Sequence, residues 1–371
     1  MTDQVRLFTV TEEDDGIRLD RWFKRNLAEI SFGQISRWAR TGQLRLDGKR
    51  ATPGDRILAG QSVRVPPQSE EAQVAAAAAA AAPAKAPRKR EALTADEIDY
   101  VRAMVIHEDR AAIVVNKPPG LATQGGTKTT DHLDRLLDGL ADEGAPRPKL
   151  VHRLDKDTSG ALLVARTPRA AAAFSKSFSS RTARKVYWAI VTGVPPISDG
   201  MIDLPLAKQP GTGGEKVHVD EEEGQPARTR YRVIERAGNR AAWVELQPMT
   251  GRTHQLRVHM LAIGHPILGD GKYGGQDAFL TGAISRKLHL HARRLRIDHP
   301  DGERIDVTAE LPEHFAATIE SLGFDPLLGE MLPLDEVKYS ETPEGKRKAV
   351  TAAAKARRKD RKGERRSRGR G

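Results

Sequence analysis

An α+β body over residues 98–335, preceded by a small α/β module over residues 1–66 with its core at 17–65, is the architecture this sequence predicts. Three observations carry that reading. In the body, strand-like and helix-like segments mingle without the strict βαβα order of a parallel sheet. Between the two parts, residues 67–97 contain eight consecutive alanines, Ala75 to Ala82, closed by Pro83 and followed by Pro87-Arg-Lys-Arg, so they read as a flexible tether. Charge is also segregated: residues 17–65 carry 11 Lys+Arg against 4 Asp+Glu, residues 341–371 carry 13 against 4, and residues 99–340 balance at 32 each. Basic ends on a neutral body favour a polyanionic partner, nucleic acid first.

A length of 371 residues suits two or more domains. Cysteine is absent, which excludes disulfides, thiolate catalysis and cysteine-ligated metal, and suits a reducing cytoplasm. No run approaches the roughly 18 apolar residues of a membrane span. The acidic stretch Glu12 to Asp15 is unlike a secretory signal. The expectation is a cytoplasmic protein away from membranes.

In the first module, Asp20, Trp22, Phe23 and Leu27 begin a helical pattern, and Ile35, Trp38 and Ala39 repeat it after a break at Ser31–Gly33. Gly42 ends the second helix. A short strand, Leu44 to Leu46, runs into the hairpin turn Asp47-Gly48. Arg37, Arg40, Arg45 and Lys49 fall around that helix and turn, and they are the candidate RNA contacts. In the body, Ile113 to Lys117 is a strand closed by Pro118, Pro119 and Gly120. Ala161 to Ala165 is a buried strand. Thr167 and Pro168 cap and open a helix carrying Phe174 and Phe178. Val186 to Val191 is a strand with Tyr187 and Trp188 on opposite faces. Residues 228–246 form a hairpin turning at Ala237-Gly238-Asn239. Thr253 is the expected N-cap of a helix with an apolar stripe at Leu256, Met260 and Ile263, ended by Gly264 and Pro266. Residues from about 336 to 371 read as a disordered basic tail that adds salt-dependent affinity for RNA.

The chemistry-bearing segments are Val151-His-Arg-Leu-Asp-Lys-Asp-Thr-Ser-Gly160 and Thr250-Gly-Arg-Thr-His-Gln-Leu-Arg-Val-His259. The first holds Asp155 and Asp157 at a turn leading into a buried strand, where a carboxylate is rigid yet open to substrate. Residues two apart in extended chain face the same way, so spacing alone leaves both as candidates. In the second, Arg252 sits beside a helix N-terminus, where guanidinium and backbone N–H groups favour an anion, either an enzyme carboxylate or an RNA phosphate. His254 and His259 are five apart, against the four of a helical metal pair, and His289 and His291 adjoin no carboxylate, so no metal site is expected.

Together, His152-Arg-Leu-Asp-x-x-Thr-Ser-Gly160, Lys185-Val-Tyr-Trp-Ala-Ile-Val-Thr-Gly193, Gly251-Arg-Thr-His-Gln-Leu-Arg-Val-His259, and Gly264-His-Pro-Ile-Leu-Gly-Asp270 with Tyr273-Gly274 resemble the RluA-type pseudouridine synthases, in that family's order. The first module resembles the RNA-binding domain of ribosomal small-subunit protein four, and the combination is similar to the RluC/RluD branch. The resemblance implies a pseudouridine synthase fold built on a mixed, largely antiparallel sheet. It also implies isomerisation of uridines in large-subunit ribosomal RNA after base flipping, without any cofactor. On that basis Asp155 is the catalytic carboxylate, Arg252 its ion-pair partner, Tyr187 the residue that contacts the base, and Arg153 the side chain that fills the gap left by the everted uridine. Whether Asp155 attacks ribose, attacks the base or removes a ribose proton stays open. The partners expected are ribosomal RNA and pre-ribosomal particles, with the enzyme a monomer. The alternatives are the same reaction on transfer RNA, a non-catalytic ribosome-assembly factor, and a metal-assisted nuclease.

Overall fold

A computed structural model describes residues 5–67, 92–125, 130–209, 216–282 and 284–330. Most of the expected tether and all of the expected tail therefore lie outside the described residues. The chain divides into two compact units, Met1–Ala92 and Leu93–Gly371.

In the first unit, helices Leu19–Asn26 and Phe32–Arg40 pack Trp22, Phe23, Ile35 and Trp38 against Val63 and Val65. Those valines belong to a four-stranded sheet ordered β1 (Arg6–Thr9), β4 (Ser62–Val65), β2 (Arg45–Leu46), β3 (Lys49–Arg50). Ser31 caps the second helix by accepting from the Gln34 N–H, and Gly42 leaves it at φ +72°. Asp47 and Gly48 both hold positive φ, the geometry of a tight two-residue hairpin, and Arg45 pairs with Arg50 and Leu46 with Lys49.

The second unit opens with helix Ala95–Arg102, whose Thr94 and Glu97 form a reciprocal capping box. Ordered structure thus begins before residue 98, where the sequence placed the end of the tether; the capping box is the local signal for the earlier start. Its strands are β5 (Val105–Glu108), β6 (Ala112–Lys117), β7 (Lys149–Leu150), β8 (Ser159–Ala165), β9 (Arg184–Thr192), β10 (Asp199–Asp203), β11 (Leu206–Lys208), β12 (Val217–Val219), β13 (Arg228–Ala237), β14 (Ala241–Pro248), β15 (Leu290–Asp298) and β16 (Arg304–Thr308). Ten of them form one sheet with the path β10-β13-β14-β9-β15-β8-β6-β5, β16 pairing with β15 and β7 with β8; β11 and β12 form a separate pair. Every pairing is antiparallel except β8 with β15. The architecture is α+β with a mixed, largely antiparallel sheet.

Alternation along β9 separates the two faces. Tyr187, Ala189 and Val191 join one core with Leu246, Leu290 and, from the helix after β14 and its C-cap, Leu256, Met260 and Ile263. Val186, Trp188 and Ile190 join another with Trp243, Phe315 and Ile319. Register then aligns a row across the sheet: Gly160 opposes Ala292, Ala292 opposes Tyr187, and Tyr187 opposes Leu246. The segment before β8, the start of β9 and the segment after β14 are thereby brought to one end of the sheet. Gly160 makes the β8–β15 approach possible, since it sits at φ +111° and a Cβ there would lie 2.3 Å from the Ala292 carbonyl oxygen.

Candidate active site

The aligned ends enclose a cleft of about 700 Å³, lined by residues 151–155, 184–187 and 247–257 among others. Such a volume falls within the range of small-ligand sites. Among the described residues, Asp155 is the one carboxylate in that lining. Seven cations share it: Arg153, Arg181, Arg184, Lys185, Arg228, Arg252 and Arg257. Asp157 is exposed and outside the lining, so of the two aspartates that spacing left open, Asp155 alone lines the cleft.

The loop carrying Asp155 is tied down on both sides. The Leu154 N–H donates to Thr123 Oγ1 at 3.2 Å, and the Thr123 hydroxyl donates back to the Leu154 carbonyl at 2.6 Å. Beneath it lies Lys117, fully buried at the end of β6. Its ammonium donates to the carbonyls of Pro118 (2.9 Å), Leu121 (2.8 Å) and Lys156 (3.1 Å). Burial lowers Lys117 to about 7, opposed by the charges of Asp157 and Asp155. Three carbonyl acceptors for three N–H donors also favour the ammonium over the amine. His152 is a structural neighbour: its Nε2 accepts from the Leu163 N–H, its ring stacks on Phe178, and burial holds it neutral, down to about 3.

Tyr187 faces the cleft and is only 9% exposed. Burial, and then the charge of Asp155, raise its pKa, so the phenol is neutral. Two residues earlier on the same face, Lys185 is held below its ordinary pKa by burial. Arg153 is exposed at the rim. Arg153, Arg181, Arg184, Lys185 and Arg252 have no carboxylate partner among the described residues, and that leaves the cleft wall free to meet anions.

The segment after β14 differs from expectation in two respects. The helix spans Gln255–Ala262, and its N-cap is His254 in the left-handed region at φ 53°, rather than Thr253. No side chain caps this helix; Gln255 instead ties down the segment before it, its Oε1 accepting from the Arg252 N–H (3.0 Å) and the Thr250 hydroxyl (2.7 Å) while its Nε2 donates to the Arg228 carbonyl (2.9 Å). The expected ion pair between Arg252 and Asp155 is also absent. The Arg252 Nε donates to the Pro226 carbonyl at 3.3 Å, and the basic group nearest Asp155 is His254, with Nε2 3.9 Å from Oδ2. Arg252 and Asp155 line the same cleft without touching.

Sequence reasoning weighed His254 only as a metal ligand, and the structure brings it into the site instead. His254 Nδ1 lies 2.7 Å from the Tyr273 hydroxyl, whose oxygen accepts from the Val217 N–H at 3.1 Å. The Arg257 guanidinium lies 5.0 Å from the centroid of the Tyr273 ring and pairs in bidentate fashion with buried Asp270, at 2.8 and 2.6 Å. His259 belongs to the core, between Thr229 and the Leu204 carbonyl. His289 and His291 are likewise buried and hydrogen-bonded. Among the described residues no group of three metal-ligating side chains converges, and no helix is long and apolar enough to cross a membrane.

The four RNA-contact candidates of the first unit, Arg37, Arg40, Arg45 and Lys49, are all exposed. None has a carboxylate partner among the described residues. Arg45 donates to the Gly48 carbonyl and so braces the turn. Arg50, not singled out from the sequence, adjoins them and donates to the Arg40 carbonyl.

Residues 111–262 match the sequence model of the RNA pseudouridylate synthase family. Curated relatives include ribosomal large subunit pseudouridine synthase C of Vibrio vulnificus, 32% identical over 86% of this chain and 97% of that one. The proteins of the same name from Yersinia pestis (35% identical, 83% and 92% covered) and Escherichia coli (33%, 86% and 98%) are also similar. Among solved structures, human RNA pseudouridylate synthase domain containing 4 is 31% identical, with a TM-score of 0.52 over 61% of this chain and 97% of that one.

Proposed function

Because the chain belongs to the RNA pseudouridylate synthase family, we propose that it isomerises selected uridines of large-subunit ribosomal RNA to pseudouridine, with Asp155 as the catalytic carboxylate. The single observation that carries the residue assignment is the isolation of Asp155 as the one carboxylate, among the described residues, in a cleft walled by cations and faced by Tyr187. The substrate class rests on the names of the relatives.

The chemistry follows from the arrangement. Breaking the base–ribose bond develops positive character at the sugar, which an ionised carboxylate stabilises or traps. The detached base must turn in place and bond through carbon, so water has to be kept from the sugar. A buried, neutral Tyr187 contacts the base with its ring. Arg153 at the rim fills the space of the everted nucleotide, and the unpaired cations, Arg252 among them, take the flanking phosphates. The first unit, through Arg37, Arg40, Arg45 and Lys49, and the basic tail supply further RNA affinity. No step in this scheme calls for a cofactor. The enzyme works as a cytoplasmic monomer on ribosomal RNA or pre-ribosomal particles, and light scattering in solution tests the monomer.

The test is incubation of the full chain and of Asp155→Asn with unmodified large-subunit ribosomal RNA and with transfer RNA, with and without chelator, followed by mapping of pseudouridines and strand breaks. Chelator-resistant pseudouridine in ribosomal RNA, lost in Asp155→Asn with RNA binding kept, is the expected result. Modification of transfer RNA alone would move the substrate, binding without chemistry would leave an assembly factor, and chelator-sensitive cleavage would make it a nuclease. Turnover by Asp155→Asn would remove that residue from the mechanism.

A further inference from the structure

We propose that His254 is a positioning residue for Asp155, a neutral imidazole locked by Tyr273 in the tautomer that presents Nε2–H to the carboxylate. The inference rests on Asp155 as the reacting group and adds a partner to it.

The tautomer follows from counting protons. The Tyr273 oxygen accepts one hydrogen bond, from the Val217 N–H at 3.1 Å, and has a single proton to give. His254 Nδ1, 2.7 Å away, is the acceptor within reach. If Nδ1 carried hydrogen instead, the tyrosine proton would lose that acceptor, and the bare Nε2 lone pair would face the Asp155 charge 3.9 Å away. Both consequences disfavour that form. The remaining arrangement is Tyr273 O–H to Nδ1, with Nε2–H aimed at Oδ2.

Neutrality has its own support. Burial lowers the His254 pKa most, and Arg257 and Lys272 lower it further, against the opposing pull of Asp155 and Asp270. Burial keeps Tyr273 protonated. The left-handed backbone at His254 is one that few non-glycine residues adopt, and it is held here at the helix start with the ring 3.9 Å from the aspartate. At 3.9 Å the donor is near the carboxylate but not engaged, since a hydrogen bond needs about 3 Å; catalytic hydrogen bonds often tighten only when substrate fills the site. A neutral donor orients the carboxylate and leaves its full charge for the sugar.

The test has a structural and a kinetic arm. Nitrogen-15 NMR of histidine-labelled full chain, with His254 assigned by loss of its signal in His254→Gln, reads the ring directly near neutral pH. An Nε2–H tautomer is expected in the wild type, relaxing to a mixture in Tyr273→Phe. In single-turnover assays on ribosomal RNA, His254→Phe should lower the rate about 100-fold, the scale of a misplaced reacting group, with RNA affinity unchanged. His254→Gln, whose amide restores a donor, should recover most of that loss. An Nδ1–H or imidazolium ring in the wild type, an unchanged ring in Tyr273→Phe, or His254→Phe turning over at the wild-type rate would each overturn the proposal. Failure of the catalytic reading is seen separately, as an active Asp155→Asn, and leaves the ring signals as they were.

Discussion

Replacing Lys117 with methionine tests whether the loop carrying Asp155 is held from below. Methionine nearly matches the lysine stem in volume, so the change removes the ammonium and little else. Three carbonyls, of Pro118, Leu121 and Lys156, then lose their donor at a fully buried position. Hydrogen bonds from a charged donor contribute about 1.5–3 kcal/mol each, so the gross loss is about 4–9 kcal/mol. Relief from burying the ammonium offsets roughly half of that, leaving about 2–5 kcal/mol. For a unit of this size such a loss lowers the melting temperature by on the order of 10 °C. Lys156 follows Asp155 directly, so the carboxylate should also lose its position, and single-turnover isomerisation should fall about 100-fold. Urea titration measures the first effect, on the acid side of the lysine's titration near 7. Release of tritium from uridine labelled at carbon 5 measures the second, because that proton leaves when the new carbon–carbon bond forms. Wild-type stability with a wild-type rate would show that the three carbonyls do not depend on the lysine, and would refute the account of how Asp155 is held.

Gly160→Ala places a methyl group 2.3 Å from the Ala292 oxygen at φ +111°; a loss of about 3–5 kcal/mol in urea titration is expected, and none would mean that the β8–β15 contact is softer than drawn. Burial holds His152 and His291 down to about 3, and His259 and His289 to about 4, against 6.5 when unfolded. Between 6.5 and 4 the unfolded chain therefore binds more protons than the folded one, so stability, complete above 6.5, falls as pH drops. Around pH 5 the slope approaches ~5 kcal/mol per pH unit if all four act together, and a melting temperature flat from pH 7 to about 4.5 would contradict their neutral burial. Neutralising Arg37, Arg40, Arg45 and Lys49 together should flatten the salt dependence of RNA binding by about 3 in log–log slope, with unchanged melting; an unchanged slope would place the RNA elsewhere.

Much of the fold was legible because it is local. The Asp47-Gly48 turn, the Thr167-Pro168 helix start and the alternation that sets Tyr187 against Trp188 each depend on a few neighbouring residues. Family motifs singled out Asp155, and the fold puts it in the cleft lining. The cap at Thr253 misled because a good capping residue does not say where the backbone will turn: the turn falls one residue later, at left-handed His254, and no side chain caps the helix.

What the sequence by itself determined was the α+β class, the charged ends and those elements with a strong local pattern, such as the 113–117 and 186–191 strands and the helix after Thr167. Tertiary structure alone decided which groups meet: that His254 and not Arg252 stands next to Asp155, that Tyr273 sets the histidine ring, and that Lys117 braces the loop through three carbonyls. The reason is register. Periodicity tells which face a side chain takes, but the row from Gly160 through Ala292 and Tyr187 to Leu246 is fixed by hydrogen bonds between strands far apart in the chain. No local pattern records those pairings.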